Sequence, residues 1–348
     1  MTSIRRFVQC SFLIGLSICL SRCASIDSLL SEINLSAATP IPAWTSYTTA
    51  DGLVERHVSS IVVANDGVVW LGTWGGLSHF DGENWTTYTT KDGLAGNEIR
   101  SLAMGPYGAL WIGTDGGGVS RFEQETRTWT TYQKEDGLAG DRVWDIVLGP
   151  ENELWFATLD GGISRYHPME EHWITYTSKD GMPSNSIWSL TFAPDGTLWA
   201  GTNGRGLVSY DGERWESYTK DSTQGGLGSD YVYALVVERD NTLWVGTWNG
   251  GISSFDGKRW IYYPGFRGAG GFRTSPNSNN IYSAELAPDG ALWFGGINGI
   301  SRFDGRSWFT YHTSDGLIEK HAYSLAISSD GTIWVGTENG VSRSGIVE

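Results

Sequence analysis

The chain has 348 residues and sets 24 Lys plus Arg against 39 Asp plus Glu, a formal charge of -15. So acidic a balance argues against a nucleic-acid partner, because a phosphate backbone needs a basic face. Cys10, Cys19 and Cys23 are the three cysteines, so everything after residue 23 lacks a disulfide, a thiolate metal ligand and a cysteine nucleophile.

Residues 1–23 have the layout of a bacterial-type secretory signal: Arg5 and Arg6, an apolar run from Phe12 to Leu20, then small residues. The run is too short to span a bilayer. Leu20-Ser21-Arg22-Cys23 resembles a lipoprotein processing box with Cys23 as the acylated residue. Arg22 stands where that box normally has Gly, Ala or Ser, which leaves lipidation and ordinary cleavage beyond Cys23 both open. Either route predicts an exported protein, periplasmic, envelope-anchored or secreted, that meets the membrane only through an acyl chain. Residues 24–42 end in Pro40-Ile41-Pro42 and read as a linker.

From residue 43 onward one phrase recurs seven times. Its first half, Trp-x-x-Tyr, begins at Trp44, Trp85, Trp129, Trp173, Trp215, Trp260 and Trp308. Its second half, of the Leu-Trp-x-Gly-Thr type, carries Trp70, Trp111, Trp155, Trp199, Trp244, Trp293 and Trp334. A period of roughly 40 to 45 residues rich in Trp, Gly and Asp predicts the blades of a β-propeller. Blade 2 parses into four strands: A from Ile99 to Met104, B from Leu110 to Thr114, C from Val119 to Phe122 and D from Trp129 to Tyr132. The other A strands start at Val58, Val143, Ile187, Val232, Ile281 and Ala322, giving seven four-stranded antiparallel blades over residues 43–348. The last blade lacks a D strand, and Trp44-Thr45-Ser46-Tyr47 has no blade of its own. The N-terminal strand is therefore expected to close blade 7, since an open sheet edge invites aggregation.

Asp-Gly-Leu stands before several A strands, at Asp51-Gly52-Leu53, Asp92-Gly93-Leu94, Asp136-Gly137-Leu138 and Asp315-Gly316-Leu317. Together with Gly-Thr-x-Gly-Gly variants closing strand B, this makes residues 43 to 345 closely resemble the two-component regulator propeller repeat. That resemblance implies the periplasmic ligand-sensing part of a bacterial histidine kinase or related regulator, often one that reads glycan-derived ligands. Kinase motifs, a phosphoacceptor domain and a transmembrane segment are missing from the 348 residues, so the expectation is a free-standing exported sensor or binding module without its own kinase output.

In such a meander the B-to-C and D-to-A connections share one face. Four tryptophans fall outside the phrase. Trp144 and Trp188, just inside A strands in register with Tyr233, Tyr282 and Tyr323, read as packing between blades. Trp74 and Trp248 occupy B-to-C turns, where Asp115, Leu159, Asn203 and Glu338 stand in other blades, and are candidates to stack on a ligand. The longest D-to-A connections, Asp221 to Asp230 and Pro264 to Asn280, flank blade 5. Long loops on a rigid scaffold commonly carry binding, so Phe266, Arg267, Phe272 and Arg273, with Asp230 and Tyr231, join Trp248 in the expected patch for a small molecule or oligosaccharide.

A lyase is the competing reading, because streptogramin lyases are seven-bladed and resemble this chain in their short Trp-containing repeats. His57 and His321 stand one residue before the A strands of blades 1 and 7, and Glu98 holds that register in blade 2. Two imidazoles and a carboxylate at the channel mouth are candidates for general-base chemistry. No cofactor is expected and no metal site: a Gly-x-Ser-x-Gly elbow, a His-Glu-x-x-His and calcium-loop spacing are all missing. A third reading is a scaffold that holds an envelope or sensor protein on its rim.

Overall fold

Strand B of every blade is buried along its whole length, although successive side chains point to opposite faces. A strand apolar on both sides must sit between two neighbours, and a ring of sheets supplies them. In the computed structural model, which describes residues 43–265, 276 and 278–345, seven four-stranded sheets form such a ring. The leader, the linker, Cys23, Phe266, Arg267, Phe272 and Arg273 lie outside the described residues. No helix among the described residues is long and apolar enough to cross a membrane.

Blade 1 shows the pattern, with β2 (Val58–Val63), β3 (Val69–Thr73), β4 (Leu77–Phe80) and β5 (Trp85–Tyr88) as strands A to D. Blade 7 is assembled from both ends of the propeller. Its strands A to C are β26 (Ala322–Ile327), β27 (Ile333–Thr337) and β28 (Gly340–Ser344), and β1 (Trp44–Tyr47) adds antiparallel to β28 as strand D. The register pairs Trp44 with Ser344 and Tyr47 with Val341. All seven A strands begin where the sequence places them.

Seven buried apolar clusters occupy the seven blade-to-blade junctions. One joins the last blade to the first, with Trp334 and Val341 from blade 7, Val58, Leu71 and Phe80 from blade 1, and Tyr47 packed against them. Trp85 and Tyr88 face opposite ways, as their spacing of three requires: Trp85 meets Tyr47 at 5.7 Å, and Tyr88 meets Trp129 of blade 2 at the same centroid distance.

The repeat phrase is mostly packing chemistry. The Asp of Asp-Gly-Leu closes the turn before it, Asp51 and Asp92 each accepting a backbone hydrogen bond at 2.8 Å, from Thr48 and Thr89. Its Gly takes a left-handed φ and lies under the D-strand indole of the next blade. A Cβ on Gly52 would stand 2.7 Å from Cβ of Trp85, and one on Gly316 would stand 3.3 Å from the Trp44 ring across the seam. Its Leu is buried, at Leu53, Leu94, Leu138 and Leu317. The Gly of Trp-x-Gly-Thr lets blades approach, since a Cβ on Gly72 would meet Ile99 at 2.5 Å. The Thr hydroxyl then donates to a carbonyl across the B-to-C turn, as Thr73 does to Gly76 at 2.8 Å.

Candidate ligand-binding site at the channel mouth

All seven A strands carry the same irregularity. Their pairing with strand B slips at the second residue, between Val58 and Ser60 in blade 1 and at the equivalent place in each other blade. Such a bulge leaves one residue out of the ladder and re-aims its side chain. The residues concerned are Ser59, Arg100, Trp144, Trp188, Tyr233, Tyr282 and Tyr323, and all seven line a central cavity of about 740 Å³. That volume suits a small organic ligand.

The side chains around this cavity form a closed circuit of rings. His57 stacks on Trp74 at 3.8 Å and lies 4.7 Å from Tyr323. Tyr323 stands 5.1 Å from Tyr282, which meets Trp248 at 6.1 Å and Tyr233 at 6.0 Å. Tyr233 packs on Trp188 at 3.9 Å, and Trp188 stacks on Trp144 at 5.9 Å. Arg100 completes the circuit, its guanidinium 4.7 Å from the Trp144 ring and 5.3 Å from Trp74.

Trp74 and Trp248, candidates from separate turns, thus share one site, 45% and 38% exposed. Trp144 and Trp188 do meet the rings of neighbouring blades, as their register suggested, but the bulge places those contacts on the channel wall, outside the junction clusters. Tyr231 joins Trp188, Tyr233 and Trp248 around an adjoining 480 Å³ hollow. Asp230 has a local partner, its Oδ1 accepting from Lys220 N at 2.7 Å. Asn97, Asp141, Asn185 and Asn279 hold the same turn in other blades.

His57 and His321 reach the same rim on either side of Tyr323. Burial holds the His57 imidazole below its usual value, against the raising charges of Glu55 and Glu338. Glu98 turns to Arg100 instead of either histidine. The carboxylates beside His321 are Glu319 and Glu338, each 3.5 Å from Nδ1, and the three residues offer ligand atoms within 4.8 Å of one another. The repeated Glu-x-His of Glu55-Arg56-His57 and Glu319-Lys320-His321 was the available sequence signal for Glu319, while Glu338 comes from the B-to-C turn of blade 7. Asp115 accepts from both Arg100 and Arg142. Burial pushes its carboxyl up, and those two guanidinium groups outweigh it and hold it below the usual carboxylate range.

Two carboxylates that sequence reasoning passed over line the cavity, Asp145 from blade 3 and Glu285 from blade 6. Asp145 replaces a serine. In blades 1 and 2 the equivalent Ser60 and Ser101 accept from the backbone N–H of Leu102 and Ile146 in the next blade, and Asp145 Oδ2 accepts from Leu190 N at 2.8 Å. Burial lifts its carboxyl to about 6 despite hydrogen bonds from Leu190, Ile146 and Ser101. Asp145→Ser keeps the bridge without the charge, so guanidinium unfolding at pH 8 is expected to show a gain of about 1 kcal/mol.

The sequence matches the two component regulator propeller model at residues 93–116, 181–204, 226–249 and 316–339. The chain carries two-component regulator propeller repeats. Each matched repeat runs from a D-to-A turn through strands A and B, so each holds one bulged channel residue: Arg100, Trp188, Tyr233 or Tyr323. No curated protein matches the sequence. Among solved structures the propeller is similar to the extracellular domain of a putative hybrid two component system from B. thetaiotaomicron, with 22% identity, a TM-score of 0.75, and 87% of this chain aligned to 42% of that one. It is also similar to streptogramin B lyase, with 15% identity, a TM-score of 0.68, and coverage of 87% and 97%. PorZ, a bacterial surface component of the type-IX secretion system of Porphyromonas gingivalis, aligns with 15% identity, a TM-score of 0.64, and coverage of 84% and 47%. The chain spans less than half the length of the two-component extracellular domain, and at these identities the likeness is one of fold.

Proposed function

We propose that this propeller is an exported, sensor-like binding module that takes a small molecule or oligosaccharide at the channel mouth. The observation that carries the reading is the closed circuit of rings from Trp74 through Tyr323 to Trp144, all on the face where strand A enters the channel. Bulges aim Trp144, Trp188, Tyr233, Tyr282 and Tyr323 at one cavity, and His57 and the turn residues Trp74 and Trp248 border the same space. Aromatic faces stack on sugar and ligand rings, and Tyr hydroxyls there supply hydrogen bonds. Export rests on the secretory layout of residues 1–23, and anchoring on acylation of Cys23. The likeness to extracellular sensor domains supports the same compartment.

A thermal-shift panel of oligosaccharides and metabolites tests the reading. A ligand held a hundredfold above its dissociation constant is expected to add about 2.7 kcal/mol of stability. A panel without any shift, repeated by calorimetry without heat, would remove it. The lyase reading is favoured by the His321, Glu319 and Glu338 cluster and the likeness to streptogramin B lyase. Metal-dependent turnover lost in His57→Ala and His321→Ala would replace the sensor reading. Co-purification of an envelope or sensor protein, without small-molecule binding, would favour a scaffold instead.

A further inference from the structure

The circuit of rings is unequal in charge. On the side of blades 1 to 3, a cation belonging to the protein already lies between Trp74 and Trp144, the guanidinium of Arg100, and it is neutralised by Glu98 and Asp115. Trp188, Tyr233, Trp248 and Tyr282 offer a comparable set of faces, and among the described residues no cation stands over them. The same cavity contains Asp145 and Glu285, on blades three apart in the ring. Neither forms an ion pair with a described residue. Glu285 replaces Val62, Ala103, Val147, Thr191, Val236 and Ala326, which hold its place in the other A strands. Burial, and then the charge of Asp145, push the Glu285 carboxyl up to about 7. Asp145 is raised by burial alone, against its three hydrogen bonds, so the shared cavity is what places the two carboxylates together.

We propose that the channel ligand carries an organic cation, seated against Trp188, Tyr233, Trp248 and Tyr282 with its charge directed toward Asp145 and Glu285. This rests on the binding reading above and narrows its ligand to alkylammonium or amine-bearing compounds. Aromatic faces attract cations through their quadrupole, and a desolvated carboxylate pair adds the counter-charge that a neutral sugar cannot use. The Arg100 arrangement is the internal precedent, since it shows the same rim holding a cation by rings and carboxylates together.

The test titrates the protein with choline, with its neutral isostere 3,3-dimethylbutan-1-ol and with maltotriose, following tryptophan fluorescence and calorimetry. Choline is expected to bind at least about tenfold tighter than the isostere. That preference is expected to vanish in Glu285→Gln and in Asp145→Asn, while Trp188→Ala weakens both probes; melting curves verify that each variant is folded. Equal affinity for the two probes, or a choline preference that survives both carboxamide variants, would overturn the proposal. Maltotriose binding without choline binding would overturn it and leave the binding module standing. Silence from all three probes overturns the cation proposal, and the wider panel then decides the module itself.

Discussion

Deleting residues 43–47 is expected to cost about 5 kcal/mol or more, comparable to the whole stability of an ordinary domain. The deletion removes β1, whose four residues pair with β28 in blade 7. It also removes Tyr47 from the junction of blades 7 and 1, where its ring meets Phe80 at 5.2 Å and Trp334 at 6.1 Å. Trp44 is lost from the junction of blades 6 and 7. Truncating one such aromatic ordinarily costs about 3 to 5 kcal/mol when fully buried and less here, where both are partly exposed. The rest of the loss comes from exposing β28 as an unpaired edge, which also predicts aggregation. Guanidinium unfolding and light scattering measure both effects. A truncated protein with an unchanged midpoint would show that β1 is not the closing strand.

Glu285→Gln is expected to stabilise the protein at pH 8 by about 1 to 3 kcal/mol and to leave it nearly unchanged at pH 4. Folding raises this carboxyl from its ordinary value of 4.5 to about 7. Between those values the folded state keeps a proton that the unfolded chain has released, so the wild type loses stability as pH rises through the interval. Below it both states are protonated and the carboxylic acid costs little; above it the folded protein holds a partly buried anion on the channel wall. Glutamine keeps the shape and never ionises, so the variant's advantage appears across the interval and stays constant above it. Asp145 follows the same sign over a lower range, from 3.8 to about 6. Denaturant midpoints at pH 4, 6 and 8 check the slope. A destabilised Glu285→Gln at pH 8 would mean that the carboxylate has a counter-charge in the folded protein.

The blades and their closure were legible because packing chemistry repeats. Trp85, Gly52 and Leu53 each do the same mechanical job in several blades, and a job done seven times leaves a period in the sequence. The site was less legible because it sits where the repeat bends. Trp144 and Trp188 share a register with Tyr233, Tyr282 and Tyr323, and along a regular strand that register alternates toward a neighbouring blade. The bulge after the first residue of each A strand moves those inter-blade contacts onto the channel wall, and nothing in Val143-Trp144-Asp145 announces a bulge. Asp145 and Glu285 were missed for the opposite reason. Each is the one carboxylate in its register, Asp145 among serines and Ala234, Glu285 among Val, Ala and Thr191, and only the ring brings them into one cavity. Trp74 and Trp248 were found because they break the pattern on the mouth face, where no junction needs them.

The most direct measurement of the channel-mouth account is the dissociation constant of the panel's best ligand for three proteins: wild type, Trp188→Ala/Trp248→Ala, and Arg267→Ala/Phe272→Ala. The account predicts a loss of roughly a hundredfold in the tryptophan variant, measured where melting shows it folded, and a smaller loss in the loop variant. Retained affinity in the tryptophan variant, with binding lost from the loop variant, would contradict it and move recognition from the channel to the connection between blades 5 and 6.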